Sequence, residues 1–323
     1  MMKAKIGCVF AVLCLLLGPV AGRAQPEYPA SPIRLIIPFS AGGAPDIIGR
    51  ILAEKASKGL GQDVVVENRT GAGGNIGFAL GAKAAPDGYT LLMCTFGCAT
   101  NPFLYKKISW SPSEFAPVML AGMVPNVLVV RPTLNVDSVE QFIALGRSKP
   151  GSLTMASSGV GSASHLAGER FNDLAKIEAL HVPYKGSSAA LPDIAGGRVD
   201  YMIVSVPEAM PYLADKRLKA LGVSTEVRAT SLPDVPTIQE AGLPGYSVAA
   251  WSMLVAPSGT PAQVIERLNT EFNKAVSDSE VVKRLKGLSV LPGGGTSHDA
   301  QSFLEEQARQ WKPLIERKKI SAD

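Results

Sequence analysis

Short apolar runs alternate with segments of helical period along almost the whole chain beyond residue 30. The runs are "IRLIIPF", "DVVVEN", "YTLLMCT", "PNVLVVR", "LTMAS", "EALHVPY", "YMIVSV", "LKALGVS" and "WSMLVAP", most of them bounded by Gly, Pro or Asn. They read as buried strands, because β-branched stretches with little polar alternation fit a sheet covered on both faces. Between them, Ile47, Ile48, Ile51, Leu52 and Ala56 share one stripe of a helix that should stop near Gly59 and Gly61. Val264, Leu268 and Phe272 recur at four-residue steps, and Phe303, Trp311, Leu314 and Ile315 mark a terminal amphipathic helix. The alternation predicts an α/β protein on a largely parallel sheet, without internal repeats. The loops "RPTLNVDS" and "AGLPGYS" divide it into three blocks of about 100, 115 and 70 residues. Block lengths alone do not say whether the first and third belong together.

The first residues follow a different pattern. Lys3 and Lys5 precede an apolar run from Ile6 to Leu17, and "GPVAGRA" then places Gly22 and Ala24 at −3 and −1 of a cleavage site. The run is shorter than the ~20 residues a membrane span needs. Residues 1–24 are therefore expected to be a cleaved secretory signal, with the mature chain starting at Gln25. Removing it changes the charge balance. The 32 Lys and Arg include Lys3, Lys5 and Arg23, so 29 remain against 28 Asp and Glu. No nucleic-acid footprint is left, and "ERKK" near the C-terminus reads as a solvated helix end. Of the four cysteines, only Cys94 and Cys98 survive cleavage. They can pair if "CTFGC" turns back on itself, whereas the strand pattern favours an unpaired Cys94 at the end of a buried strand.

Four junctions share one design: "PFSAGGAPD" (38–46), "ENRTGAGGNIG" (67–77), "ASSGVGSASH" (156–165) and "VPYKGSSAALPD" (182–193). Each follows a strand candidate, enters a helix candidate, and offers Gly, Ser, Thr or Asn at the helix start. First-turn N–H groups have no intrahelical partner, and the helix dipole makes them a seat for anions. Four such junctions in one chain point to a shared anion pocket. The binding candidates read from them are Ser40, Gly42, Gly43 and Asp46 on the first junction. Ser158, Gly161, Ser162 and His165 come from the third, and Lys185, Gly186 and Ser187 from the fourth.

Other chemistries find little support. In "GAGGNIG" Gly77 falls one residue late for the dinucleotide fingerprint, in "GVGSAS" Ser164 stands where its third glycine should be, no phosphate-loop motif occurs, and no GxSxG is present. His165, His181 and His298 stand at no metal-ligand spacing. No cofactor and no metal is expected. Ser162 and His165 at i, i+3 form the nearest approach to a nucleophile–base pair, but no third orienting group is identifiable. A pocket-lining or packing role suits His165 better. Asp46, in the first turn beside Pro45, either complements the helix dipole or orients bound water or a ligand hydroxyl or amine.

With these residues in place the chain resembles a known family. The segments from "YPASPIRLIIPFSAGGAPDIIGR" through "AAPDGYTLLM", "NPFLYKKI" and "ASSGVGSASHLAGE" follow in family order. So do "HVPYKGSSAALPDIAGGRVD", "LPDVPTIQEAGLPGY" and "VAPSGTPAQVIERLN". Together, over about residues 28–320, they resemble the Bug-type, TctC-like periplasmic receptors of tripartite tricarboxylate transporters. The resemblance implies a two-lobed periplasmic-binding-protein (Venus flytrap) fold, two α/β lobes joined by two crossing strands. Residues 25–126 plus 253–323 would form lobe one and 127–252 lobe two. It implies a monomeric, non-enzymatic receptor in the periplasm that passes a small organic carboxylate to transporter membrane components. The loop Phe39–Asp46 and the segment near Asn101 would face the ligand from lobe one, partly through water. Ser158–Ser162 and Lys185–Ser187 would hold a carboxylate from lobe two. One departure stands out. Where many relatives carry an acid this chain has Val204 and Ser205, and Tyr212 stands where a histidine is frequent. A more apolar cleft wall at Val204 makes an aromatic or aliphatic carboxylate as suitable as citrate or an amino acid. A sensor's ligand-binding receptor and an exported hydrolase are the competing functions.

Overall fold

The computed structural model describes residues 28–323, so the expected signal segment lies outside the described residues. The first half of lobe one contains strand β1 (Ile33–Ile37), helix α1 (Ala44–Leu60), β2 (Val64–Asn68), α2 (Asn75–Ala82), β3 (Thr90–Thr95) and α3 (Phe96–Leu104). Strand β4 (Phe115–Val130) leads out of it. Lobe two follows with α4 (Val139–Ser148), β5 (Leu153–Ser157), α5 (Ala163–Ala175) and β6 (Ala179–Pro183). It continues through α6 (Ser187–Ala195), β7 (Tyr201–Ser205), α7 (Val206–Ala214) and β8 (Lys219–Val223). Strand β9 (Ala249–Pro257) returns, and α8 (Ala262–Ser277), α9 (Ser279–Gly287), β10 (Leu291–Gly294) and α10 (Ser297–Lys318) complete lobe one.

The strands order as β2-β1-β3-β9-β4-β7-β5-β6, with β8 and β10 also pairing to β4. Both wings are parallel, β1 with β2 and β3, and β5 with β6 and β7. The middle is antiparallel, since β9 runs against β3 and β4, and β7, β8 and β10 run against β4. This corrects the expectation of a largely parallel sheet. A chain that leaves one lobe and comes back must cross in opposite senses, and the two crossing strands impose that on their neighbours. The run "PNVLVVR" is only the second half of β4. Residues 115–125 pair with β9, and from Asn126 onward the strand pairs with β7 and β8.

The helical stripes do the packing. In α1, Ile48, Ile51, Leu52 and Ala56 are buried in one core with Leu268 and Phe272 of α8. Each large side chain there contributes about 1.5–3 kcal/mol through removal from water. Pro45 sits in the first turn, and Gly61 ends the helix at φ 71°, its N–H donating to Ser57 O. That left-handed cap is why the helix stops where a glycine is placed. Helix α10 starts on a capping box between Thr296 and Asp299. Its Trp311 meets the Phe96 ring edge-on at 5.1 Å. Farther along, Arg317 reaches Asp173 at 2.8 Å and Lys318 reaches Glu169 at 3.3 Å, tying the helix end to α5 of lobe two. Cys94 does end a buried strand, yet it is bonded to Cys98, with Cα atoms 5.8 Å apart. The strand passes into α3 without a loop, so the chain turns at once and brings the two side chains together.

Candidate functional site

Strand β1 is buried along its length except at Arg34, and the chain then turns through Pro38–Gly43 before α1 begins. Asp46 organises this turn from beneath. Its carboxylate, 2% exposed, accepts from Gly42 N at 2.9 Å, Arg50 Nε at 3.0 Å and Asn68 Nδ2 at 2.8 Å. Asn68 Nδ2 also donates to Phe39 O at 2.9 Å, which ties the β1–α1 turn to the end of β2. Burial pushes the Asp46 carboxyl up, but hydrogen bonds from Arg50, Gly42 and Asn68 outweigh it and hold the group below the usual carboxylate range. Both oxygens thus serve the loop that faces the cavity.

A carboxyl whose native pKa lies below its unfolded value of about 3.9 contributes stability above that pH. It loses the contribution as pH falls through the native value. In Asp46→Asn, stability at neutral pH should fall by about 1–3 kcal/mol, because buried donors lose their acceptor. The decline in stability from roughly pH 5 to pH 3 should also become shallower than in the parent. Urea midpoints across that range check both, and identical acid slopes in the two proteins would remove Asp46 from the account.

Beyond these turns lies a cavity of about 310 Å³. Phe39, Gly43, Ala44 and Pro45 line it from the β1–α1 turn, and Gly73 from the turn before α2. The β3–α3 junction supplies Thr95, Phe96, Gly97, Thr100 and Asn101, and the crossing strands supply Val124, Ala250, Trp251 and Ser252. Lobe two contributes Gly161, Ser162 and Ala163 at the start of α5. Three of the four glycine- and serine-rich junctions therefore meet at one place. The fourth stands behind the third, with Gly186 N donating to Ser158 O at 3.3 Å and Tyr184 N to Ser157 O at 3.0 Å. A larger groove, about 880 Å³, opens along α10, but its walls carry charged side chains such as Arg309 and Glu306 that already pair with one another.

The α5 start is held by its own side chains. Ser162 Oγ caps the helix by accepting from His165 N at 3.3 Å and donates to Gly159 O at 2.6 Å. Ser158 Oγ and Ser164 Oγ lie 2.8 Å apart. Gly161 N donates to His165 Nδ1 at 3.0 Å, and the His165 ring stacks on His181 at 3.8 Å. Burial, with His181 as the lesser cause, pushes the His165 imidazole down to about 3, so it stays neutral and keeps its lone pair for Gly161. Its ring therefore orients the loop. It makes no bond to the Ser162 hydroxyl. The Ser–His contact that does exist, Ser157 Oγ to His181 Nε2 at 2.7 Å, involves a fully buried serine that no substrate reaches in this state. With the N–H groups of Gly161 and His165 committed, those of Ala163 and Ser164 remain at the helix start for an anion.

The other sequence candidates divide clearly. Phe39, Gly43, Asn101, Gly161 and Ser162 stand on the cavity wall. Asn101 Nδ2 binds Gly73 O at 3.1 Å and Asn75 Oδ1 at 2.9 Å, which joins two of the junctions. Ser40 and Lys185 are exposed, and Gly42, Ser158, Gly186 and Ser187 flank the cavity loops without lining it. Val204 is 1% exposed in the core of lobe two and does not line the cavity, so the apolar wall comes from Phe39, Phe96, Val124 and Trp251 instead. Thr95, Phe96 and Thr100 were not singled out from the sequence. Their signal was available, because "CTFGCATN" is also a strand running into a helix with small polar residues at the joint. Among the described residues no group of three or more His, Cys, Asp or Glu could hold a metal ion.

Comparison with known proteins agrees with this architecture. The family model described as tripartite tricarboxylate transporter family receptor matches residues 48–320. A protein from Pseudomonas sp. (strain P51), described as a UPF0065 protein in the tcbD-tcbE intergenic region, is 41% identical over 98% of this chain and 95% of its own. Protein BugT of Bordetella pertussis is 33% identical over 98% of both chains. Among solved structures, R. palustris Rpa4515 with adipate superposes with a TM-score of 0.79 at 36% identity, covering 91% of this chain and 99% of that one. MatC from Rhodopseudomonas palustris with bound malate gives 0.74 at 32% identity, covering 89% and 100%. Fold and sequence converge, and the chain belongs to the TctC family of tripartite tricarboxylate transporter receptors.

Proposed function

We propose that this protein is an extracytoplasmic solute receptor that binds a small carboxylate-bearing organic anion between its lobes and delivers it to transporter membrane components. The observation that carries this reading is the convergence of helix starts from both lobes on one cavity whose wall holds no Lys, Arg, His, Asp or Glu. A carboxylate in such a place is held by backbone N–H groups and hydroxyls. Charge-assisted bonds of that kind contribute about 1.5–3 kcal/mol each. Two or three of them with some apolar burial correspond to micromolar affinity, about −8 kcal/mol. The adipate and malate found in the two related structures support the same ligand class.

On this reading the ligand is carried and released unchanged. The lobes are residues 25–126 with 253–323, and 127–252, and a hinge in the crossing strands closes them. Export would remove residues 1–24 and place the receptor in the periplasm. Calorimetry with mono-, di- and tricarboxylates, a neutral sugar and a simple cation tests the proposal. At least one carboxylate should bind with micromolar affinity, and small-angle scattering should show compaction on its addition. Binding of the sugar or the cation with silence from every acid would overturn the anion assignment.

A further inference from the structure

Resting on the receptor reading, we infer that the preferred ligand is a small aromatic monocarboxylate bearing a ring hydroxyl, and that Thr95 determines this preference. Three independent features of the cavity converge on it. The first is size: about 310 Å³ lies at the small end of ligand pockets, enough for one ring with its substituents. The second is the wall. Phe39, Phe96 and Trp251 line it with aromatic side chains, together with Pro45, Val124 and Ala250, and no charged side chain lines the space. The nearest acid to that wall in sequence, Asp46, is already paired with Arg50. A second carboxylate on the lobe-one side would have only the α1 and α3 helix starts to replace its hydration, and no free cation beside them. A flat ring instead gains edge and face contacts with the three aromatic side chains.

The third feature is an orphan hydroxyl. Thr95 occupies the N-cap of α3, where a threonine ordinarily accepts a hydrogen bond from the first helical turn. Here it makes no such bond. Its Oγ1 is buried, the residue being 5% exposed, and has no partner in the protein. Thr95 nevertheless lines the cavity. A buried hydroxyl without a partner is costly, and buried polar groups in native proteins are otherwise paired. A ligand hydroxyl reaching Oγ1 from the cavity would complete it. An analogue lacking that group leaves it unpaired, which is how a polar site rejects an otherwise similar molecule. Thr95 stands on the lobe-one wall and the α5 start on the lobe-two wall, so the hydroxyl and the carboxylate lie at different ends of the ligand.

The test is calorimetry of the parent, Thr95→Val and Thr95→Ser with benzoate, 3- and 4-hydroxybenzoate, adipate and citrate. In the parent, at least one hydroxybenzoate should bind about tenfold or more tighter than benzoate, adipate and citrate. Thr95→Val keeps the side-chain shape and removes no helix cap. It should erase the hydroxyl preference by bringing hydroxybenzoate affinity down to that of benzoate, without lowering the melting temperature, while Thr95→Ser should restore the preference. Adipate or citrate binding tighter than every ring acid would overturn this inference and leave the receptor reading standing. Ring acids that bind equally to the parent and to Thr95→Val would overturn the role of Thr95. Silence from all five acids would overturn the receptor reading itself.

Discussion

Gly161→Val is expected to leave the protein folded and to weaken carboxylate binding by about a hundredfold or more. Gly161 has φ +74°, and its N–H is held by His165 Nδ1 at 3.0 Å. The backbone conformation disfavours any side chain, at a cost of about 1–3 kcal/mol. The larger effect is spatial. A Cβ at this position sits 3.0 and 3.3 Å from the two Leu104 methyls and 3.5 Å from Ala322 Cβ. Valine would push the α5 start away from α3 and the C-terminal tail, so the donors of lobe two could no longer meet a ligand seated on lobe one. Lys185→Ala is the contrasting change. Lys185 is exposed and does not line the cavity, so its loss should alter affinity by less than about threefold, a long-range charge effect screened by salt. Calorimetry on both variants, with circular dichroism to verify folding, separates the outcomes. A valine variant that binds normally would show that the spacing between the α5 start and α3 does not set the grip.

Trp311→Ala should produce the largest loss of stability, about 3–5 kcal/mol, as expected for emptying a fully buried indole site. Trp311 is 1% exposed, its ring meets Phe96 at 5.1 Å, and its Nε1 donates to Gln307 at 3.2 Å. Phe96 lines the cavity, so releasing its packing partner should also weaken ligand binding, by roughly tenfold on the same contact argument. Urea denaturation measures the first effect through a lower midpoint at unchanged slope. A loss below about 1 kcal/mol would mean that the α10 interface collapses around the gap and that Phe96 does not depend on it.

Much of the architecture was legible because its signals are local. Each of the nine apolar runs falls in a strand, since β-branched stretches bounded by breakers need no distant partner to be recognised. The glycine-rich joints were visible for the same reason, as Gly61 shows at the end of α1. The β3–α3 joint was passed over, although its residues carry the same pattern, because Cys94 read as the end of a buried strand. Val204 attracted attention as a departure from relatives, yet its side chain turns into the core. A strand's period tells which residues share a face, and says nothing about which face meets the ligand.

The sequence by itself determined the alternation of strand and helix, the places where helices start and stop, and the chemical character of the joints between them. These depend on periodicity, capping and backbone freedom within a few residues. Only the tertiary structure decided how the joints are used. It commits both oxygens of Asp46 to Gly42, Arg50 and Asn68, turns His165 into an acceptor for Gly161, and leaves Thr95 Oγ1 without a partner. It also makes the middle of the sheet antiparallel, because β4 and β9 cross between lobes in opposite senses. Asn68 reaches Asp46, and β4 meets β9, from far along the chain, whereas the Gly42, Arg50 and Gly161 bonds span four residues each and depend on how the surrounding turns are placed. Competition among donors and acceptors for partners is settled only when all of them are brought together, and no local window of sequence contains that information.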